Sequence, residues 1–128
     1  MSWEDHYRRR AAIKSVLTYA AKNPAAGLPY EELAEARASF RDRRELVLAL
    51  QYDWSQALWA RIELLSLDDG RRGSKLIDAA ELARTAYADC AARQPVLRRL
   101  LDTYRDEIGP SLHWEQDILT TAGIGHSA

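Results

Sequence analysis

The stretch DRRELVLALQYDWSQALWARIELLSL, residues 42–67, decides how the rest of the chain is read. It holds no Gly and no Pro, and Asp42 with Glu45 three residues later resembles a capping box with Asp in place of Ser or Thr. Apolar residues recur on two sides of a helix drawn through it. One stripe is Leu46, Leu50, Trp54, Leu58, Ile62 and Leu65; the other is Leu48, Tyr52 and Trp59. At ~100° per residue the two stripes lie about 200° apart. A helix of roughly 37 Å with two apolar flanks must be covered on both, by other helices or by a second subunit.

Helical signals continue on either side. Residues from Trp3 to Lys22 place Trp3, Tyr7, Ala11, Ile13, Leu17, Ala20 and Ala21 at helical spacing, and Asn23-Pro24 ends the run. A short helix from about Tyr30 to Ala38 is expected after Pro29, with Glu31 and Glu32 in its first turn. The stretch DDGRRGS, residues 68–74, reads as the clearest break in the chain. A fourth helix is expected from about Lys75 to Arg93, carrying Leu76, Ala80, Ala83, Tyr87 and Cys90. A fifth opens at Pro95, where proline is tolerated at the first helical position, and bears Val96, Leu97, Leu100, Leu101 and Tyr104. A last short helix is expected from about Ser111, with Leu112, Trp114, Ile118 and Leu119. The expectation is an all-α single domain, a five- to six-helix bundle around a long central helix at about 43–67.

Composition narrows the function classes. The 128 residues hold 18 basic and 19 acidic side chains, a net charge of −1, so no global field draws the chain to DNA or an anionic membrane. No stretch approaches the ~20 apolar residues of a membrane span. The single cysteine, Cys90, permits no intrachain disulfide. That and the charged N-terminus MSWEDHYRRR, which lacks an apolar signal region, make the cytoplasm the expected compartment.

No chemistry-bearing motif stands out. The three histidines, His6, His113 and His126, have no acidic residue three positions before them, so the Glu-x-x-His pairs of di-iron bundles are absent. His113 with Asp117 could supply half a metal site, but reads more simply as an exposed helix face. Cys90 sits deep in a helix and reads as a small core residue. DDGRRGSK, residues 68–75, lacks the spacing and the preceding strand of a phosphate loop. No catalytic residue, metal ligand or cofactor is assigned, and an enzyme is the least supported class.

Three readings of function are left. The first is a non-catalytic interaction or regulatory module, homodimeric or bound to a protein partner, with Leu48, Tyr52 and Trp59 at the interface. The second is a pocket for a small apolar ligand among the rings of Trp54, Trp59, Tyr52 and Tyr87. The third is nucleic-acid binding through Arg8, Arg9, Arg10, Arg41, Arg43 and Arg44; interspersed acids such as Asp42 and Glu45 argue instead for a solvated surface.

The third reading has one resemblance behind it. RRRAAIKSVLTYAAKN, EELAEA and FRDRRELVLALQYDW follow one another in an order that resembles the start of TetR-type regulators. There a helix and a helix-turn-helix lead to the pattern F-x-x-(K/R)-E-L-(L/V) at the next helix. Phe40, Arg44, Glu45, Leu46 and Val47 fit that pattern with one extra residue. Only Arg37-Ala38-Ser39 separates EELAEA from Phe40, so the family's recognition helix has no counterpart here.

Overall fold

The structure is a computed structural model that describes residues 2–71 and 79–104, with the backbone alone at 68–71. All regular structure among the described residues is α-helical: α1 is Trp3–Lys22, α2 Ala34–Ser39, α3 Arg43–Arg71, α4 Ala79–Arg93 and α5 Pro95–Thr103. The expected helix from Ser111 lies outside the described residues. The described residues group into two compact units, 2–52 with 96–104 and 53–71 with 79–95.

In the first unit, α1 opens on a cap that the sequence reading passed over. The Ser2 hydroxyl accepts the Asp5 amide at 3.1 Å, satisfying one of the four orphan N–H groups of a helix start. At the other end Asn23 closes the helix, its backbone N–H and its Nδ2 both donating to the Tyr19 carbonyl. Arg99 of α5 donates to the Ala20 carbonyl at 2.9 Å, a cation placed where the helix dipole is negative.

The buried face of α1 is Ala12, Ile13, Val16 and Ala20. That differs from the expected stripe, since Trp3 is 74% and Tyr7 66% exposed, and Ala11 and Ala21 also face water. Small and β-branched side chains occupy the inner face, and α2 packs against α1 through its own small buried residue, Ala36.

The second helix starts four residues later than expected. Residues 30–33 form a turn in which the Leu33 N–H donates to the Tyr30 carbonyl, and Leu33 is the extended N-cap. Arg37 reaches back to the Glu31 carbonyl, and the Tyr30 hydroxyl donates to the Phe40 carbonyl at 2.6 Å. The Glu31 carbonyl is one that a helix starting at Tyr30 would have claimed for itself.

The start of α3 is as the sequence requires. The Glu45 N–H donates to Asp42 Oδ1 at 2.8 Å. The Glu45 side chain reaches back to the Arg41 N–H, one residue before the cap, at 3.3 Å. The helix then runs to Arg71, so Asp68, Asp69 and Gly70 continue it rather than break it. A glycine inside a helix costs only about 1 kcal/mol and, unlike proline, removes no hydrogen bond.

The first stripe of α3 is buried: Leu46, Trp54 and Leu58 at 0% exposure and Leu50 at 1%. Ile62 and Leu65 further along are half-buried. Within the first unit Phe40, Val47, Leu97, Leu100 and Leu101 are buried as well. In the second unit the buried residues of α4 are Ala83, Ala86 and Cys90. There Trp54 meets the edge of Tyr87, with ring centroids 5.4 Å apart at 74°. Arg61 Nε and Nη2 both donate to Asp89 Oδ2, at 3.0 and 2.9 Å, which ties α3 to α4 by a charge-assisted pair of bonds.

A clamp in the first unit connects the α1–α2 loop to the end of α5. The Leu28 N–H donates to the Tyr104 hydroxyl at 2.8 Å, and the Arg43 guanidinium lies over the Tyr104 ring, 5.4 Å from its centroid. A Cβ at Gly27 would stand 2.3 Å from the Tyr104 hydroxyl oxygen. Glycine is required there by close approach.

Two substitutions test the clamp together. Gly27→Ala is expected to destabilise the protein by about 1–3 kcal/mol through overpacking, and Tyr104→Phe by about 1–3 kcal/mol through the stranded Leu28 amide. Because one oxygen causes both losses, Gly27→Ala should cost less in the Tyr104→Phe background than in wild type. Equal cost in both backgrounds, measured by urea unfolding, would show that the hydroxyl is not the point of contact.

Candidate interaction surface

The second stripe of α3 carries the first candidate site. Tyr52 is 64% and Trp59 50% exposed, while Leu48 is half-buried. Seven residues along a helix is nearly two turns, so Tyr52 and Trp59 project within about 20° of each other. Two residues the sequence reading left out of this stripe, Leu64 and Leu67, are 53% and 63% exposed. They fall beside it, widening the apolar face to an arc of about 140°. Of the six large hydrophobic residues described as exposed, these four lie on one helix. The signal that could have found the leucines was present: 60, 63, 64 and 67 follow helical spacing, but Leu64 adjoins Leu65 of the first stripe.

The proposed ligand-pocket residues come together differently. Trp54 and Tyr87 are in ring contact, with Trp54 fully buried.

The six arginines of the nucleic-acid reading all lie in the first unit, and most are set against acids or rings. Arg8 sits 4.0 Å from Glu4 and 3.8 Å from Asp5. Arg9 lies over the Phe40 ring and 3.8 Å from Glu45. Arg41 donates from Nε to Glu45 Oε2 at 2.9 Å, and Arg43 covers Tyr104. Arg10 and Arg44 are exposed. A small cleft of about 170 Å³ is lined by Asp5, Arg8, Arg9, Ala38 and Ser39. Its lining holds two arginines and one aspartate, and Arg8 and Arg9 are each set against acids, at Asp5 and Glu45.

The bond from Arg41 holds the Glu45 carboxyl below the usual carboxylate range, against a smaller opposing effect of burial. In the second unit, burial pushes the Cys90 thiol up, and its S–H donates to the Ala57 carbonyl at 3.6 Å. A raised pKa and 4% exposure describe a core residue rather than a nucleophile.

An exposed aromatic group at the start of α1 was not legible as such. The His6 ring meets Trp3 and Tyr7 edge-on and the Trp3 and Tyr7 rings are tilted by 30°, with centroids 5.8–6.1 Å apart. Among the described residues no group of three or more His, Cys, Asp or Glu side chains is placed to hold a metal ion. Nor is any described helix long and apolar enough to cross a membrane. His113 and His126 lie outside the described residues.

No known family, curated protein or solved structure matches this chain.

Glu45 allows a test by titration. Its folded-state pKa is lowered, so what the Arg41 bond contributes to stability is present above the ordinary carboxylate range and lost as pH falls through the lowered value. In Arg41→Ala the Glu45 carboxyl, followed by NMR, should titrate at higher pH than in wild type. An unchanged midpoint would mean that the Arg41 bond does not set it.

Proposed function

We propose that this protein is a non-catalytic helical interaction module that forms a homodimer through the exposed face of α3. The observation that carries the reading is the concentration of Tyr52, Trp59, Leu64 and Leu67 on that face. An aromatic side chain offers about 150–250 Å². With the leucines added, these exposures leave roughly 400 Å² of apolar surface on one helix, within the ~300–600 Å² range of patches that are commonly functional. Two copies of that patch supply about half of the ~1,600 Å² of a standard interface before any polar rim is counted.

A second copy suits the face better than an unrelated partner for two reasons. The net charge of −1 gives copies little mutual repulsion. A linear apolar stripe can also pair with its own copy about a two-fold axis, which is the commonest symmetry of soluble assemblies. Tyr and Trp at its middle match the residue types that dominate interface energetics.

Light scattering on wild type and Trp59→Asp tests the proposal. Wild type should give twice the mass of the 14.5 kDa chain, and Trp59→Asp, with its helical circular dichroism retained, should give the monomer mass. A monomeric wild type, or a Trp59→Asp variant that stays fully dimeric, would reject it.

A further inference from the structure

We infer that the two copies of α3 pair antiparallel, with the two-fold axis crossing the helix between Trp59 and Ala60; this rests on the dimer reading above. The argument comes from the order of side chains along the exposed face. Tyr52, Gln56, Trp59, Ala60, Glu63 and Leu67 are all exposed and all fall on that side of the helix.

In a parallel pair each position meets its own copy. Glu63 would then face Glu63, and like charges directly opposed destabilise a helix contact. Trp59 would meet Trp59 while Ala60 met Ala60, a collision of large groups beside a gap between small ones. Interfaces at native packing density do not tolerate either.

Reversing one helix about the Trp59–Ala60 midpoint changes every pair. Tyr52 comes opposite Leu67, a large apolar ring against a smaller apolar side chain. Gln56 comes opposite Glu63, so an amide N–H can donate to a carboxylate, a charge-assisted bond at the rim. Trp59 comes opposite Ala60, and the methyl leaves room for the indole, twice by symmetry. The helix dipoles also oppose rather than align. Size and charge therefore select the same orientation.

Cysteine cross-linking separates the arrangements. In a Cys90→Ala background, Gln56→Cys and Glu63→Cys are made singly at these exposed positions and oxidised alone or as an equimolar mixture. In the antiparallel pair, position 56 of one copy faces 63 of the other. The two copies of position 56 lie about 10 Å apart along the axis at ~1.5 Å per residue, beyond the ~7 Å Cα separation a disulfide allows. The mixture should therefore cross-link at least roughly fivefold more than either variant alone. Cross-linking of Gln56→Cys with itself would overturn the inference in favour of a parallel pair. No cross-link in any arm, with a dimer mass by light scattering, would overturn the orientation and leave the dimer standing. A monomer mass would remove the dimer and the orientation together.

Discussion

The burial of Leu46, Leu50, Trp54 and Leu58 along one side of α3 is the constraint on which the structure depends. Four large side chains spaced by four residues are withdrawn from water almost completely. At about 1.5–3 kcal/mol for each large apolar side chain, the seam represents a gross stabilisation comparable to the 5–15 kcal/mol net stability of a typical domain. The helix that carries these side chains is continuous from Arg43 to Arg71. Leu46 and Leu50 are buried in the first unit, Trp54 and Leu58 in the second.

The opposite side of the same helix sets the functional question. A helix committed to a buried seam cannot rotate to hide Tyr52 and Trp59 without exposing Trp54. The two flanks are about half a turn apart, so one helix cannot turn both toward a single layer of neighbours. The exposed face is thus a consequence of the buried one. The arginines give the contrast. Four of the six candidate arginines have a local answer: Glu4 and Asp5 for Arg8, Phe40 and Glu45 for Arg9, Glu45 for Arg41 and the Tyr104 ring for Arg43. Exposed pairs of this kind contribute little, about 0–1 kcal/mol each, but they use the donors that a nucleic-acid phosphate would need.

Much of this was legible in the amino-acid sequence, and the reasons differ by element. The start of α3 was readable because Asp42 and Glu45 carry a local capping signal that needs no tertiary information. Its seam was readable because large residues at spacing four leave no competing face. Pro95 marked the start of α5 for an equally local reason. The inner face of α1 was readable in part: Ile13 and Ala20 of the expected stripe are buried, while Ala12 and Val16 were missed. Trp3 and Tyr7 are its most apolar-looking residues by size, yet the residues it buries are Ala12, Ile13, Val16 and Ala20. The onset of α2 depends on bonds from Tyr30 and Arg37 to distant carbonyls, which no periodicity encodes. Gly70 was overweighted as a breaker. Of the candidate surface, Tyr52 and Trp59 were visible from their angle on the helix. Leu64 and Leu67 were masked by the neighbouring stripe, since four leucines in residues 58–67 fit more than one period.

Urea unfolding of Trp54→Ala measures the seam most directly. Trp54 lies at its middle and is fully buried. The account requires a loss of about 3–5 kcal/mol, as for truncation of a large aromatic in a close-packed core. A loss below about 1 kcal/mol, the ordinary cost of a surface change, would contradict it and show that α3 is held by something other than this row of side chains.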